Sequence, residues 1–315
     1  TQVAAMETRD LAALKTSQVA ALTTDQVQTG LTTDQVVALT TAQVAALTSG
    51  QLQALTTTQV AAMETRDVAA LTTSQVVALT TDQVNTGLTT AQVAALTTAQ
   101  VAALTTDQVQ AGLTTAQVVG LTTAQVAALT TDQVVALTTT QVANMETRDV
   151  AALRTAQVAA LTTDQVQNGL TTTQVASLTT AQVASLTTDQ VQNGLSTAQV
   201  VALTTGQAAA LTTSQIQALT TTQVAAMETR DVAALRTTQV VALTTDQVQN
   251  GLTTAQVVGL TTAQVAAAHL RATARVHPDR ARDPIERDRL LRESAAIRSE
   301  EHTSELQSPY VISYA

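Results

Sequence analysis

The 315-residue chain has no cysteine, no phenylalanine and no tryptophan, and only two tyrosines and three prolines. Without cysteine there is no disulfide framework. Aromatic side chains are ordinarily the largest buried units of a globular core, and at 1% of the residues they are too scarce to build a typical enzyme domain. Lys and Arg (15) are outnumbered by Asp and Glu (24), and the net charge of −9 runs against a basic nucleic-acid-binding surface. Long hydrophobic runs are missing as well: no stretch approaches the roughly 18 residues of a membrane span. Yet 45% of the residues are apolar, so the chain has material for a core of small aliphatic side chains.

Those aliphatic residues are strictly ordered. From Met6 to Ala267 the chain divides into 32 units of the form Leu-Thr-Thr-x-Gln-Val-x-Ala, of which Leu39–Ala46 is typical. Internal repetition at this level decides the fold before any other signal. Six units carry a ninth residue, always glycine (Gly30, Gly87, Gly112, Gly169, Gly194, Gly251), and always with Asp at the fourth position (Asp25, Asp82, Asp107, Asp164, Asp189, Asp246). A longer period lies above the octad. The variant Met-Glu-Thr-Arg-Asp begins at Met6, Met63, Met145 and Met227, and the last two intervals are 82 residues each. Residues 63–144 and 145–226 therefore read as tandem copies of one module.

The spacing disfavours simple strands, because the Leu and Val of one unit fall on opposite faces of a period-two chain. Thr at position two and Gln at position five instead match the capping box, Ser/Thr-x-x-Gln. The flanking Leu and Val then sit where a hydrophobic staple closes over a helix start. Position three is the more constant Thr, however, and position two is Lys15, Arg154, Arg236 or a Glu in places, so either Thr can be the cap. One continuous helix is the main competitor and is disfavoured by arithmetic: eight residues at about 100° each rotate the apolar stripe by roughly 80° per unit. The expected fold is all-α, a solenoid of very short stacked helices with eight or nine residues per unit. The competing readings are a β-solenoid and a poorly ordered repeat. The extra glycines read as left-handed C-caps or as wider corners, and stability is expected to be cooperative along the array.

The repeat offers little for catalysis. It contains no His, Cys, Pro or aromatic residue, which removes most nucleophile–base pairs, soft-metal sites and stacking platforms. No catalytic, cofactor-binding or metal-ligating residue is expected in it. Single Asp residues spaced far apart lack the oxygen density that calcium wants, and read instead as first-turn acids opposing the helix dipole. Arg66 and Asp67 of a variant octad read as solvated surface charges. Regular threonine hydroxyls leave open a threonine-lined binding face, with helix capping as the competing use.

Residues 1–267 resemble the Leu-Thr-Thr-x-Gln-Val-x-Ala-Leu segments of very large bacterial proteins often described as adhesins or haem-utilisation proteins. The resemblance implies a non-catalytic spacer or adhesive stalk, at the cell surface or secreted, touching protein or surface ligands through repeated weak contacts. It does not bring a haem ligand with it, since the repeat lacks His and its four Met residues (Met6, Met63, Met145, Met227) stand at staple positions. Leu-Thr-Thr-x-Gln-Val-Val-Ala also resembles the opening of TAL-effector repeats. That family's unit is several times longer and carries a base-reading loop absent here, and an acidic array opposes phosphate; nucleic acid is not an expected partner.

Every Pro, His and Tyr lies after residue 267, so 268–315 is a different object. His277-Pro278-Asp279, followed by a helix start at Asp283-Pro284, resembles the middle of a J-domain. That implies an Hsp70-type partner bound through His277, Pro278 and Asp279. The family's first helix is missing from 268–297, which keeps a chance triplet as the alternative. Arg298 to Ser308 resembles the in-frame translation of a common sequencing-library adapter, and 298–315 is expected to carry no biological function. Thr1–Ala5 is the back part of an octad without initiator Met or signal peptide, as expected of a segment whose parent continues upstream.

Overall fold

The computed structural model describes residues 2–276, with side chains through residue 269. The chain falls into two compact units, Thr1–Leu170 and Thr171–Ala315. Among the described residues the regular structure is entirely helical, in short pieces that follow one another octad by octad. The all-α solenoid expectation holds; no described residue is in a strand.

Each helix starts where the octad says it should. In helix Thr98–Ala103 the N-cap is Thr97, the position-two Thr, with extended backbone (φ −69°, ψ 158°). Its Oγ1 accepts from the Gln100 amide N–H at 3.2 Å, and Gln100 Oε1 accepts from the Thr97 N–H at 2.7 Å. Two of the donors that a helix start leaves unpaired are thereby satisfied. The same pairing opens helices Thr33–Ala38, Thr90–Ala95 and Thr213–Ala218. Position two is therefore the cap, and the constant position-three Thr is the first helical residue.

Termination is equally local. The next Leu ends the helix with extended backbone, as Leu104 does (φ −52°, ψ 139°), while its N–H bonds back to Val101. Between Thr8 and Gly259 each helix is thus five or six residues long, and nearly every Leu and Val of the register is buried: Leu96 and Leu104 are 4% exposed and Val101 is fully enclosed. Helices this short are unstable alone, so packing must hold them. Within each unit, a helix packs against the third helix along the chain: Thr90–Ala95 on Thr65–Ala69 in the first unit, Thr237–Ala242 on Thr213–Ala218 in the second.

The ninth-residue glycines are not left-handed caps. No described glycine has positive φ. The extra residue widens the last turn to π geometry, so that Leu113 N–H reaches Gln108 C=O at 2.8 Å and Leu88 reaches Gln83 likewise. What requires glycine at Gly87, Gly112, Gly169 and Gly251 is proximity. A Cβ on Gly112 would lie 3.1 Å from Val84 Cγ1, and one on Gly87 3.2 Å from Val60. The paired Asp has a local use as well: Asp164, Asp189 and Asp246 each accept at 2.7 Å from an Asn side chain four residues on (Asn168, Asn193, Asn250).

At Arg236 the cap hydroxyl is missing, although its backbone (φ −66°, ψ 151°) already has the cap conformation and its N–H still bonds Gln239 Oε1. Arg236→Thr supplies the missing acceptor for the Gln239 N–H. It should stabilise by about 0.5–2 kcal/mol, read as a higher midpoint for the second unit in thermal unfolding.

Candidate functional site

The side chain that recurs in a fixed, buried, functional geometry is Gln at position five. Its carbonyl oxygen serves the cap, and its amide nitrogen crosses to the preceding coil. Gln100 Nε2 donates to the backbone carbonyls of Val68 (3.0 Å) and Leu71 (2.7 Å). Gln108 does the same to Val76 (2.9 Å) and Leu79 (2.7 Å), and Gln92 to Val60 and Met63. In the second unit Gln207 joins Val175 and Leu178, and Gln256 joins Val224 and Met227. These residues are about 2% exposed. Carbonyls left open at one helix end thus receive their donors from the helix start of the next coil. The amide end of this Gln is invisible in a capping-box reading, because Oε1 alone completes the box. A signal was present: Glu caps as well as Gln, yet no octad places Glu at position five.

The Met-Glu-Thr-Arg-Asp octads break this ladder. Asp replaces Gln, and the expectation of solvated charges is corrected: Asp67, Asp149 and Asp231 are 1% exposed. Position five faces the preceding coil whatever residue occupies it, so the carboxylate is carried inside. Asp10, with no coil before it in this structure, has a 57% exposed side chain. The neighbouring Arg66, Arg148 and Arg230 do remain outside, each pairing with its octad's Glu at 2.5–2.6 Å and lying 3.7 Å from the buried Asp. Asp67 and Asp231 accept from Thr41 and Thr205 hydroxyls of the preceding coil at 2.7 Å. Neither oxygen of Asp149 accepts a hydrogen bond, and Oδ2 of Asp67 and of Asp231 is also bare.

Burial pushes the Asp149 carboxyl above its ordinary pKa of 3.8; Arg148 opposes the shift and Glu146 adds to it. The helix packed beneath, Thr123–Ala128, brings no charged side chain. The folded protein therefore holds this proton more tightly than the unfolded chain. The associated stability is complete below 3.8 and is lost as pH rises through the raised value. Asp149→Asn should remove that decline and stabilise by about 1–3 kcal/mol at neutral pH. Thermal unfolding of both proteins across pH 3–8 checks it: the two curves should converge at the acid end.

Other expected features are placed plainly. Met63, Met145 and Met227 occupy the Leu position and are buried. Position-two hydroxyls, as at Thr97 and Thr212, are engaged as caps. No group of three or more His, Cys, Asp or Glu side chains positioned to hold a metal occurs among the described residues. No helix among them is long and apolar enough to cross a membrane. Helix Thr262–Val276 begins as an octad helix and continues past residue 267. His277, Pro278 and Asp279, and the adapter-like 298–308, lie outside the described residues.

No curated protein shows a significant match to the chain. The ALTTAQ repeat family matches it at residues 3–41, 30–57, 37–65, 60–98, 86–111, 111–139, 142–180, 193–221 and 224–262. These segments together span well over half of the chain and coincide with the Gln-joined octads, so the chain belongs to the ALTTAQ repeat family.

Proposed function

We propose that the array is a non-catalytic structural spacer within a large bacterial protein displayed at the cell surface or secreted. One observation carries this reading: the buried Gln side chain repeated in nearly every octad is used to join coil to coil, as Gln100 joins its cap to Val68 and Leu71. An octad added to such an array brings its own cap, staple and donor, so length grows without a new kind of interface. The exposed threonines offer repeated weak contacts whose sum depends on number and spacing. Two measurements test the proposal. An antibody against residues 63–144 should label intact source cells or their medium, and detection confined to the cytosol would contradict the location. Removing residues 63–144 or duplicating them should change the maximum dimension in small-angle scattering by equal and opposite steps. Unequal steps would contradict the spacer role.

A further inference from the structure

We propose that the Met-Glu-Thr-Arg-Asp octads are built-in release seams, where neighbouring coils part first while the rest of the array holds. This is a property of the chain itself and does not depend on the spacer reading. An ordinary octad fastens its helix start with four hydrogen bonds: Thr97 and Gln100 exchange two, and Gln100 Nε2 makes two more to Val68 and Leu71. A seam octad has none of the four. Glu64, Glu146 and Glu228 stand at the cap without a side-chain cap bond. Asp, lacking an amide nitrogen, cannot donate to the carbonyls that position five serves elsewhere. By the same register these belong to Val36 and Leu39 opposite Asp67, to Val118 and Leu121 opposite Asp149, and to Val200 and Leu203 opposite Asp231.

What stands in for the four bonds is weaker. Two seams gain one threonine hydroxyl each, and the Asp149 seam gains none. The Glu–Arg pairs are largely exposed and worth little. Opening a seam also returns a buried carboxylate to water, a gain that no ordinary octad offers. Stacked positions lie 26 to 28 residues apart (Thr41 on Asp67, Val84 on Gly112). Three coils therefore correspond closely to the 82-residue module, and the first unit carries its internal seams, Asp67 and Asp149, three coils apart.

Amide hydrogen exchange of the full chain tests this, under conditions where exchange reports the opening equilibrium. Amides of helix Thr147–Ala152 should exchange about tenfold faster or more than those of Thr98–Ala103, with Thr65–Ala69 and Thr229–Ala233 in between. Asp149→Gln, which supplies three of the four bonds, should bring Thr147–Ala152 most of the way to the protection of Thr98–Ala103. Gln100→Asp should create a new fast-opening helix there. Equal protection of seam and ordinary helices in the natural chain would overturn the proposal. So would unchanged protection in Asp149→Gln, a variant that can regain three of the four bonds, all but the cap hydroxyl's, and does not rely on a destabilised protein.

Discussion

Gln108→Leu should lower the local stability of its coil by roughly 3–5 kcal/mol, a large loss for one exposed-looking polar residue in a repeat. The sum has three parts. The Thr105 N–H loses its acceptor at 2.9 Å, and the carbonyls of Val76 and Leu79 lose donors at 2.9 and 2.7 Å in a place water does not reach. Each buried group left without a partner costs about 1–3 kcal/mol, and loss of a cap contact adds up to about 1. Leu itself fits the apolar surroundings, so part of the cost returns as burial. The informative companion is Gln108→Glu. It keeps the cap acceptor but turns a carboxylate oxygen toward two carbonyls, so at neutral pH it should be at least as damaging as Leu and recover in acid. If Gln served the cap alone, Glu would be close to neutral. Amide exchange of helices Thr73–Ala78 and Gln108–Gly112 reads the loss locally, which suits a repeat whose unfolding need not be two-state.

The second large effect is a pair with opposite signs. Gly112→Ala places a methyl 3.1 Å from Val84 Cγ1 and 3.2 Å from Val84 Cβ, closer than side-chain carbons normally approach, so Val84 must shift to admit it. Overpacking of this kind costs about 1–3 kcal/mol. Gly50 lies in the first turn of helix Ser49–Ala54, and the nearest atom to its missing Cβ is Thr24 Cγ2 at 3.9 Å, an ordinary contact. Gly50→Ala should therefore stabilise by about 0.4–1 kcal/mol, by restricting the unfolded chain. Thermal unfolding of the two single variants beside the parent checks both. A stabilising Gly112→Ala would refute the close-approach account of the ninth-residue glycines.

Those glycines show what the sequence could and could not reveal. The octad's local grammar was legible: a Thr, its partner Gln three residues on and a Leu–Val staple define a helix start wherever they occur, and the structure has a helix start in each such place. Which Thr caps was not legible, because Lys15, Arg154 and Arg236 occupy position two without a hydroxyl. The structure explains the tolerance: Gln Oε1 still accepts the cap N–H there, so half of the box survives. Glycine at a unit boundary suggested a left-handed turn, since that is its commonest local use. At Gly87, Gly112, Gly169 and Gly251 the actual reason is a valine 27 or 28 residues earlier, a contact that no local pattern contains. The buried Asp residues escaped for the same cause. Charge suggested the surface, whereas position in the register put Asp67, Asp149 and Asp231 inside. What sequence reasoning missed is everything that depends on the offset between coils, and that offset is set by packing rather than by the octad.

The chain's lack of aromatics is resolved by the same geometry. A core one Leu and one Val deep per octad has no room for larger side chains, and the Gln amides supply the cohesion that bulky groups would give elsewhere. The most direct measurement of this claim is hydrogen exchange of the Gln side-chain amides themselves by nuclear magnetic resonance. Position-five residues such as Gln92, Gln100 and Gln108 should form a strongly protected population. The exposed glutamines at position seven, such as Gln28 and Gln53, should exchange at the rate of free amides. A single fast-exchanging population would contradict the account, since no coil would then be joined to the next through its glutamines.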